Sequence, residues 1–515
     1  MPDILYHNAQ LKVEVFSYIG PPDSGKPQND KVIIRDLSDI IINFSYTKGL
    51  ERPDGSFELL LKASGQDMRW SVHSGDWIVI KYIYSDPMQK NQNFEKTRVI
   101  GFIDRISRST NILSNGEIDM SYKISGRDIG KIFSDMIIFI DRYSLGNKHA
   151  GEIGTAVQAF LEGEAKGWFG SPSTVIKKIL YYFLGNHPKK WPSTLKQYLV
   201  PSALISRIIK HENIADLNNQ IFLDAKVDKT TFRDSVLSLL KLDIQTLKGA
   251  ADQSQLLFSA LNTQMPFWGI LEACQNSEVN EMFIEINNNN IPTFYLRPIP
   301  FLDEVNTKNL DANIKKSFPQ LFYRSDINTV LVSSSLIINT DLGASDHDRY
   351  NYFLLLQDVG SDLGIFPPLN FPKLNEISIQ RYGMRPYFKT ISYTYLTNLT
   401  EKGKEGKTNL ELLEGFNNFL YTILNNNPYY ENGTITLMGN PNIKIGSNLN
   451  IDYNGKIYSY YVESYTDNFV IDQTGKRHFT TTALVTRGYN KSDKSFISVY
   501  TYDQRSQIGT SLNKR

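Results

Sequence analysis

The spacing of apolar and polar positions changes character twice along the chain. From about residue 10 to 126 the period is two. Leu11-Lys12-Val13-Glu14-Val15-Phe16 alternates, and Lys31 to Ile34, Asp39 to Tyr46, Phe57 to Ala63, Asp76 to Tyr84, Arg98 to Ser107 and Glu117 to Ser125 read as further strands. Side chains two apart lie on one face of a strand, so each run predicts a strand with one buried face. Pro53-Asp54-Gly55, Ser74-Gly75-Asp76 and Ser114-Asn115-Gly116 supply the turns. Many short strands with regular turns predict a barrel or sandwich.

Near residue 127 the spacing becomes helical and stays so to about Ala260. Ile153, Val157, Phe160 and Leu161 recur at intervals of three and four, as do Val175, Ile176, Ile179, Leu180 and Phe183, and then Phe232, Val236, Leu239 and Leu240. Asp228, Thr230 and Thr231 are N-cap candidates ahead of Phe232. A helix at Pro266 to Gln275 leads into Met282 to Ile286 and Thr293 to Arg297, which flank Asn287-Asn288-Asn289-Asn290 and predict a hairpin.

Strand texture then returns at Asn328 to Asn339, Asn351 to Gln357 and Lys389 to Tyr395, the last preceded by a Pro-rich loop from Phe366 to Pro372. Leu410 to Leu424 predicts an amphipathic helix, with Leu412, Leu413, Phe416, Phe419, Leu420 and Ile423 on one side. Gly433 to Leu437, Asn448 to Tyr453, Lys456 to Ser464 and His478 to Thr486 are the closing strands, and the last twenty residues are polar.

Composition narrows the function classes. Of 515 residues, 41% are hydrophobic and 21% charged, a globular balance long enough for several domains. Lys plus Arg number 55 against 54 Asp plus Glu, so no net field draws the chain to nucleic acid or an anionic membrane. The single cysteine, Cys274, rules out an intrachain disulfide and a Cys-based zinc site. The first residues lack a basic stretch followed by an apolar run, and stretches such as Met136 to Ile140 are too short to span a bilayer. A protein made in the cytoplasm, with no membrane insertion, is the expectation. Its 29 Tyr and 28 Phe favour sheet.

The two strand-rich regions resemble each other. Gly75-Asp76-Trp77-Ile78-Val79-Ile80 matches Gly446-Ser447-Asn448-Leu449-Asn450-Ile451, and Phe102-Ile103-Asp104-Arg105-Ile106-Ser107 matches Tyr461-Val462-Glu463-Ser464-Tyr465-Thr466. Both cross a glycine turn, at Gly116 and Gly475, into strands ending Ile124-Ser125-Gly126-Arg127 and Val485-Thr486-Arg487-Gly488. Two similar units per chain, in a three-fold ring, would present six near-equivalent positions and could join a six-fold tube to a three-fold partner.

Four segments in order carry a family resemblance. They are Tyr122-Lys123-Ile124-Ser125-Gly126-Arg127-Asp128; Arg381-Tyr382-Gly383-Met384-Arg385-Pro386; Gly433 to Pro441 with Ile445-Gly446; and Tyr461-Val462-Glu463-Ser464 with Thr480 to Thr482 and Thr486-Arg487-Gly488. The chain resembles the baseplate hub proteins of contractile-tailed phages, with the T4 hub fold and relatives in type VI secretion spikes. The resemblance covers residues 10–126 and 325–490; residues 140–225 have no counterpart in it. It implies an α+β, β-rich fold with two similar antiparallel β-barrel domains of the tail-tube kind and a mainly helical insertion between them. Residues 1–126 would form the first barrel and 127–325 the insertion ending in a hairpin. The second barrel would span 326–490, with a helix at about 408–425, before a polar tail at 491–515. It also implies a homotrimeric ring in the virion baseplate, joining the tail tube protein to a separate spike protein among other baseplate proteins. DNA or tape-measure protein would pass through the lumen.

No residue is nominated as catalytic, cofactor-binding or metal-binding. Gly20-Pro21-Pro22-Asp23-Ser24-Gly25-Lys26 starts like a P-loop, but Pro27 stands where a Mg²⁺-holding hydroxyl belongs and a strand pattern follows instead of a helix. His149 and Glu152 have a zinc-peptidase spacing without a third ligand. Ser345-Asp346-His347-Asp348 holds triad residue types that adjacent positions cannot assemble. His187-Pro188-Lys189-Lys190-Trp191 sets a basic pair beside an aromatic, read as a turn anchoring Trp191, and Glu162 and Glu164 are an exposed acidic pair. The competing functions are a tail-associated peptidoglycan hydrolase acting through residues 140–225, which a zymogram of that segment tests, and a host-receptor adhesin, which direct binding to host cells tests.

Overall fold

A computed structural model of the chain describes residues 9–19, 31–63, 71–85, 93–112, 118–139, 169–170, 172–184, 240–245, 254–255, 264–301, 323–357, 372–391, 405–472 and 474–491. The first seven strands are β1 (Gln10–Ile19), β2 (Lys31–Asp36), β3 (Ile41–Gly49), β4 (Ser56–Lys62), β5 (Trp77–Ser85), β6 (Asn93–Ile112) and β7 (Ile118–Asp128). Alternation sets their orientation: Phe44, Tyr46 and Lys48 of β3 and Phe57, Leu59 and Leu61 of β4 are buried, while their neighbours face outward. β5 is the exception. Trp77 to Tyr82 is buried on both faces, because helices and a hairpin pack behind it.

The middle of the chain supplies that second layer. It holds the short strands β8 (Ile137–Phe139), β9 (Phe169–Gly170), β10 (Lys241–Ile244), β11 (Ser254–Gln255) and β12 (Gln264–Pro266), and then the hairpin β13 (Asn280–Ile286) and β14 (Pro292–Pro298). Helices Lys131–Asp135, Pro172–Leu184 and Phe267–Gln275 bring Phe133, Val175, Ile176, Phe267 and Leu271 against Trp77, Val79 and Phe102. The hairpin turns at the expected asparagines, with Asn290 at φ 62. The helical spacing at 153–161 and 232–239 lies outside the described residues.

The last third contains β15 (Thr329–Ser333), β16 (Ile337–Gly343), β17 (Tyr352–Gln357), β18 (Lys373–Leu374), β19 (Pro386–Ile391), β20 (Glu431–Met438), β21 (Asn448–Tyr453), β22 (Lys456–Ile471) and β23 (Arg477–Asn490). Helix Glu405–Leu424 buries Phe416, Phe419, Leu420 and Ile423 against Phe353 and Leu355 of β17, as its amphipathic spacing predicts. The run Asn328 to Asn339, expected as one strand, is two. A 3-10 turn at Ser334–Leu336 divides it, and the Ser333 hydroxyl caps the turn by accepting from the Ser335 amide.

The fold is β-rich, built on one 13-stranded, mainly antiparallel sheet. Its order is β16-β20-β23-β22-β3-β4-β7-β6-β5-β1-β2, with β21 beside β22 and β15 beside β21. Among the described residues no pairing closes a barrel. The order contains a duplication: β3-β4-β7-β6-β5-β1 runs parallel in topology to β16-β20-β23-β22-β21-β15. The outermost member differs in direction, since β1 is antiparallel to β5 and β15 parallel to β21.

Finer irregularities repeat with it. β3 and β16 each follow a 3-10 turn, and the register shifts between Ile41 and Asn43 in one and between Ile337 and Asn339 in the other. A second bulge lies between Ile103 and Arg105 in β6 and between Val462 and Ser464 in β22. Bulges are placed features of a fold, so the same two at equivalent positions mark one unit used twice. The corner before β5 and β21 agrees as well. The Gly75 amide donates to Ile103 O and the Ile103 amide to Asp76 O, and Gly446, Val462 and Ser447 make the same two bonds. The sequence matches at Gly75 and Gly446 and at Phe102 and Tyr461 are therefore in register. The match at the end of β7 and β23 is not. Gly126 is equivalent to Val485 in the ladder, whereas the sequence match sets it against Arg487, two residues away.

Candidate assembly surface and its buried junction

The outward positions of the long sheet form rows across its strands. Asn339, Thr436, Thr482, Thr466, Thr47 and Ser56 stand side by side on six successive strands, and Met438, Thr480, Asn468, Ser45, Glu58 and Ser125 form the next row. Hydroxyl bonds lie along the first: Thr47 Oγ1 to Thr466 Oγ1 and Thr436 Oγ1 to Thr482 Oγ1, each 3.0 Å. The face is small, hydroxyl-rich and almost uncharged at its centre, with Lys123 and Glu58 paired at 2.6 Å toward the first half.

Beneath it the two halves meet where β22 pairs with β3, from Ser464 opposite Gly49 to Val470 opposite Asn43. Tyr46 and Tyr465 pack edge to face at 5.9 Å, and Tyr82 stacks on Phe479 at 4.2 Å. The junction is also polar. Arg98 of β6 donates through Nε to Asp467 of β22 at 2.6 Å and through Nη1 to the carbonyls of Pro441 and Ile443 at 3.1 and 2.8 Å. Its guanidinium lies 3.8 Å from the centre of the Tyr465 ring. Asp467 also accepts from Thr481 Oγ1 at 2.8 Å. Burial works against the Arg98 charge, but Asp467, Tyr465, Glu285 and Tyr82 together more than offset it, so the guanidinium is held more firmly protonated than usual.

Glu285 of the hairpin joins this network by accepting from Tyr465 OH at 3.2 Å and from the Ile445 amide at 3.3 Å. Lys444 donates to the Ile286 carbonyl. Burial brings the Lys444 ammonium down to about 7, against the pull of Glu285. In the first half, Asp128 accepts from Tyr46 OH at 2.7 Å, from Lys48 Nζ and from the Gly130 amide at 2.9 Å.

The motif residues occupy this framework. Gly126 lies where any Cβ would meet Phe102 O at 2.0 Å and the Phe57 ring at 2.5 Å, so only glycine lets β7 and β6 approach. Asp128 is the buried acceptor just described. Arg127 is more exposed and pairs with Asp104 at 2.8 Å and Asp135 at 2.8 Å. Pro441 supplies a carbonyl to Arg98, and Tyr461 donates to Glu281. Arg487 reaches Asn427 at 2.9 Å and Ile423 O at 2.8 Å, tying helix Glu405–Leu424 to the sheet. Arg381 to Pro386 lies at the surface, where Asn351 accepts from the Arg385 amide at 2.7 Å and donates to Gly383 O at 2.8 Å. Tyr382, Met384 and Phe388 are exposed there.

Among the other sequence features, Ser345 to Asp348 is an exposed loop in which the His347 amide donates to Ser345 Oγ and Asp346 pairs with Arg349. Residues 20–27, His149, Glu152, Glu162, Glu164 and 187–191 lie outside the described residues, as does most of 140–225. Among the described residues no cluster of three His, Cys, Asp or Glu is placed to hold a metal, and no helix is long and apolar enough to cross a membrane. The network around Arg98 and Asp467 escaped sequence reading, since the pair is 369 residues apart.

No family model matches the chain, and no curated protein does. Solved structures do. A tail protein from Neisseria meningitidis MC58 is 10% identical, over 93% of this chain and 96% of its own, with a TM-score of 0.41. A 43 kDa tail protein of prophage MuSo2 from Shewanella oneidensis is 10% identical, over 92% and 98%, also at 0.41. The half-lidded PdpA-VgrG complex of Francisella is 11% identical over 95% of this chain and 59% of that one, at 0.41. The similar structures are phage tail and baseplate proteins, together with VgrG complexes.

Proposed function

We propose that the protein is a structural hub subunit of a phage-type tail baseplate and that three copies form a ring of six near-equivalent units. The observation that carries this reading is the duplication: the same strand order, the same two bulges and the same glycine corner occur in both halves of the sheet. A chain that contains its own repeat can present six-fold pseudo-symmetry on one side and true three-fold symmetry on the other. The role is that of a symmetry adaptor between a hexameric tail tube and a separate trimeric spike, within the virion baseplate. Each half supplies one tube-like β-barrel unit, with the insertion at 127–325 outside them.

The hydroxyl-rich face fits a channel wall. Small side chains without net charge bind neither a polyanion nor an extended polypeptide strongly, so DNA or a tape-measure protein could pass without being held. No catalytic step is assigned to the chain, and its role is structural. Mass photometry of the purified protein at micromolar concentration is the direct check. A species of three times 58.8 kDa is expected, and a monomer both alone and with the candidate spike contradicts the reading.

A further inference from the structure

The duplication leaves one contact without its counterpart. β22 is long enough to pair with β23 on one edge and with both β21 and β3 on the other: β21 takes residues 456–461 and β3 takes 464–470. β6, its equivalent, pairs with β7 along one edge and with β5 on the other only as far as Phe102. Beyond that point, among the described residues, no strand pairs with the second edge of β6. The equivalent of β3 is β16, which ends the sheet with one edge paired to β20 and, among the described residues, the other edge paired to nothing. A sheet edge left open over several residues is a template for another strand.

We infer that the open edge of β6 pairs antiparallel with the open edge of β16 from a second copy of this chain, as β22 pairs with β3 within one copy. This rests on the ring reading and adds its contact and register. The two shared bulges transfer the register. Thr466, Asp467, Asn468 and Phe469 correspond to Ser107, Arg108, Ser109 and Thr110, and Thr47, Tyr46, Ser45 and Phe44 to Gly343, Leu342, Asp341 and Thr340. Between copies, Ser107 therefore faces Gly343, Arg108 faces Leu342, Ser109 faces Asp341 and Thr110 faces Thr340.

The chemistry of the edges agrees. The β6 edge carries exposed Arg105 and Arg108; β16 and the loop after it carry exposed Asp341 and Asp348, beside Asp346, which pairs with Arg349 in its own chain. Opposite charge favours this pairing over β6 with β6 or β16 with β16. Within the chain the corresponding positions hold a buried apolar pair, Phe44 opposite Phe469. Threonines stand at both of those positions between copies, as suits a surface that is wet before assembly. Each copy offers one edge of each kind, so the contact is head-to-tail and closes into a ring when the rotation allows.

The test uses cysteines, because the one native thiol, Cys274, is buried. The Leu50 amide donates to Glu463 O at 2.9 Å, which makes Thr47 and Thr466 a non-hydrogen-bonded pair with close side chains. Ser107 and Gly343 inherit that geometry, within reach of a disulfide. A Cβ at Gly343 meets nothing within 4 Å. Full-length protein carrying Ser107→Cys and Gly343→Cys is oxidised and run on a non-reducing denaturing gel, beside Ser107→Cys with Asn339→Cys. That second pair is four residues out of register, about 13 Å along the strand. Dimers and closed trimers are expected from the first protein, formed at least tenfold faster than from the second. Mixing the two single variants of the first pair should stop at dimers. A trimer by mass that does not cross-link, or that cross-links equally in both, overturns this interface and leaves the ring standing. A monomer by mass with no cross-link, both alone and with the candidate spike, overturns the ring reading itself.

Discussion

Arg98 illustrates what one residue does in this fold. It comes from the first half and is spent entirely on the second, on Asp467 and the carbonyls of Pro441 and Ile443. Replacing it with methionine leaves Asp467 buried without its cation. A loss of about 3–5 kcal/mol is expected in urea unfolding, and a second change of Asp467 to leucine should restore part of it. Lys444 gives a pH signature. Its folded value of about 7 lies below the ordinary 10.5, so the fold favours the neutral amine. Below pH 7 the group is charged folded and unfolded, and the fold bears the full cost of burying that charge. As pH rises from 7 to 10.5 that cost is relieved. Relative to Lys444→Met, the protein should gain stability across this window, by at most about 1.4 kcal/mol per pH unit. A parallel change in both proteins would contradict the assignment. None of these partners could be read from sequence, because each is set by tertiary approach. The glycines could: Gly75 and Gly446 stood out by pattern, and both adopt positive φ, at 92° and 67°.

Those two glycines also show how equivalent elements diverge. A Cβ at Gly75 meets nothing, so Gly75→Ala should cost about 1 kcal/mol of backbone strain. At Gly446 a Cβ would meet Phe283 at 2.5 Å and Arg297 at 2.7 Å, where the hairpin packs on the second half. Gly446→Ala should therefore cost more, at least about 2 kcal/mol, and equal melting shifts would argue against the packing described. At this scale the sequence was informative wherever periodicity was strong. The helix expected at 410–424 runs from Glu405 to Leu424, and the hairpin around Asn287 to Asn290 formed as read. It was less informative where polar residues break a strand. Asn328 to Asn339 reads as one strand, but Ser334–Leu336 forms a 3-10 turn capped by Ser333, and that turn gives β16 its independence from β15. The equivalence of Ser38 to Asn43 with Ser334 to Asn339 was missed for the same reason.

For the whole molecule, the sequence pointed to a repeated unit and the pairing register supports it, while the closure of each half does not follow from the described pairings. The β22–β3 junction is the pivotal feature. It joins the halves edge to edge, and the same join made between molecules would extend the sheet around a channel lined by Thr47, Thr466, Thr436 and Thr482. That account stands or falls on a quaternary structure, which electron microscopy of the purified protein can image. Class averages with three-fold symmetry, six similar lobes and an open centre are the expected result. Single unringed particles, with the candidate spike as well as without it, would contradict it.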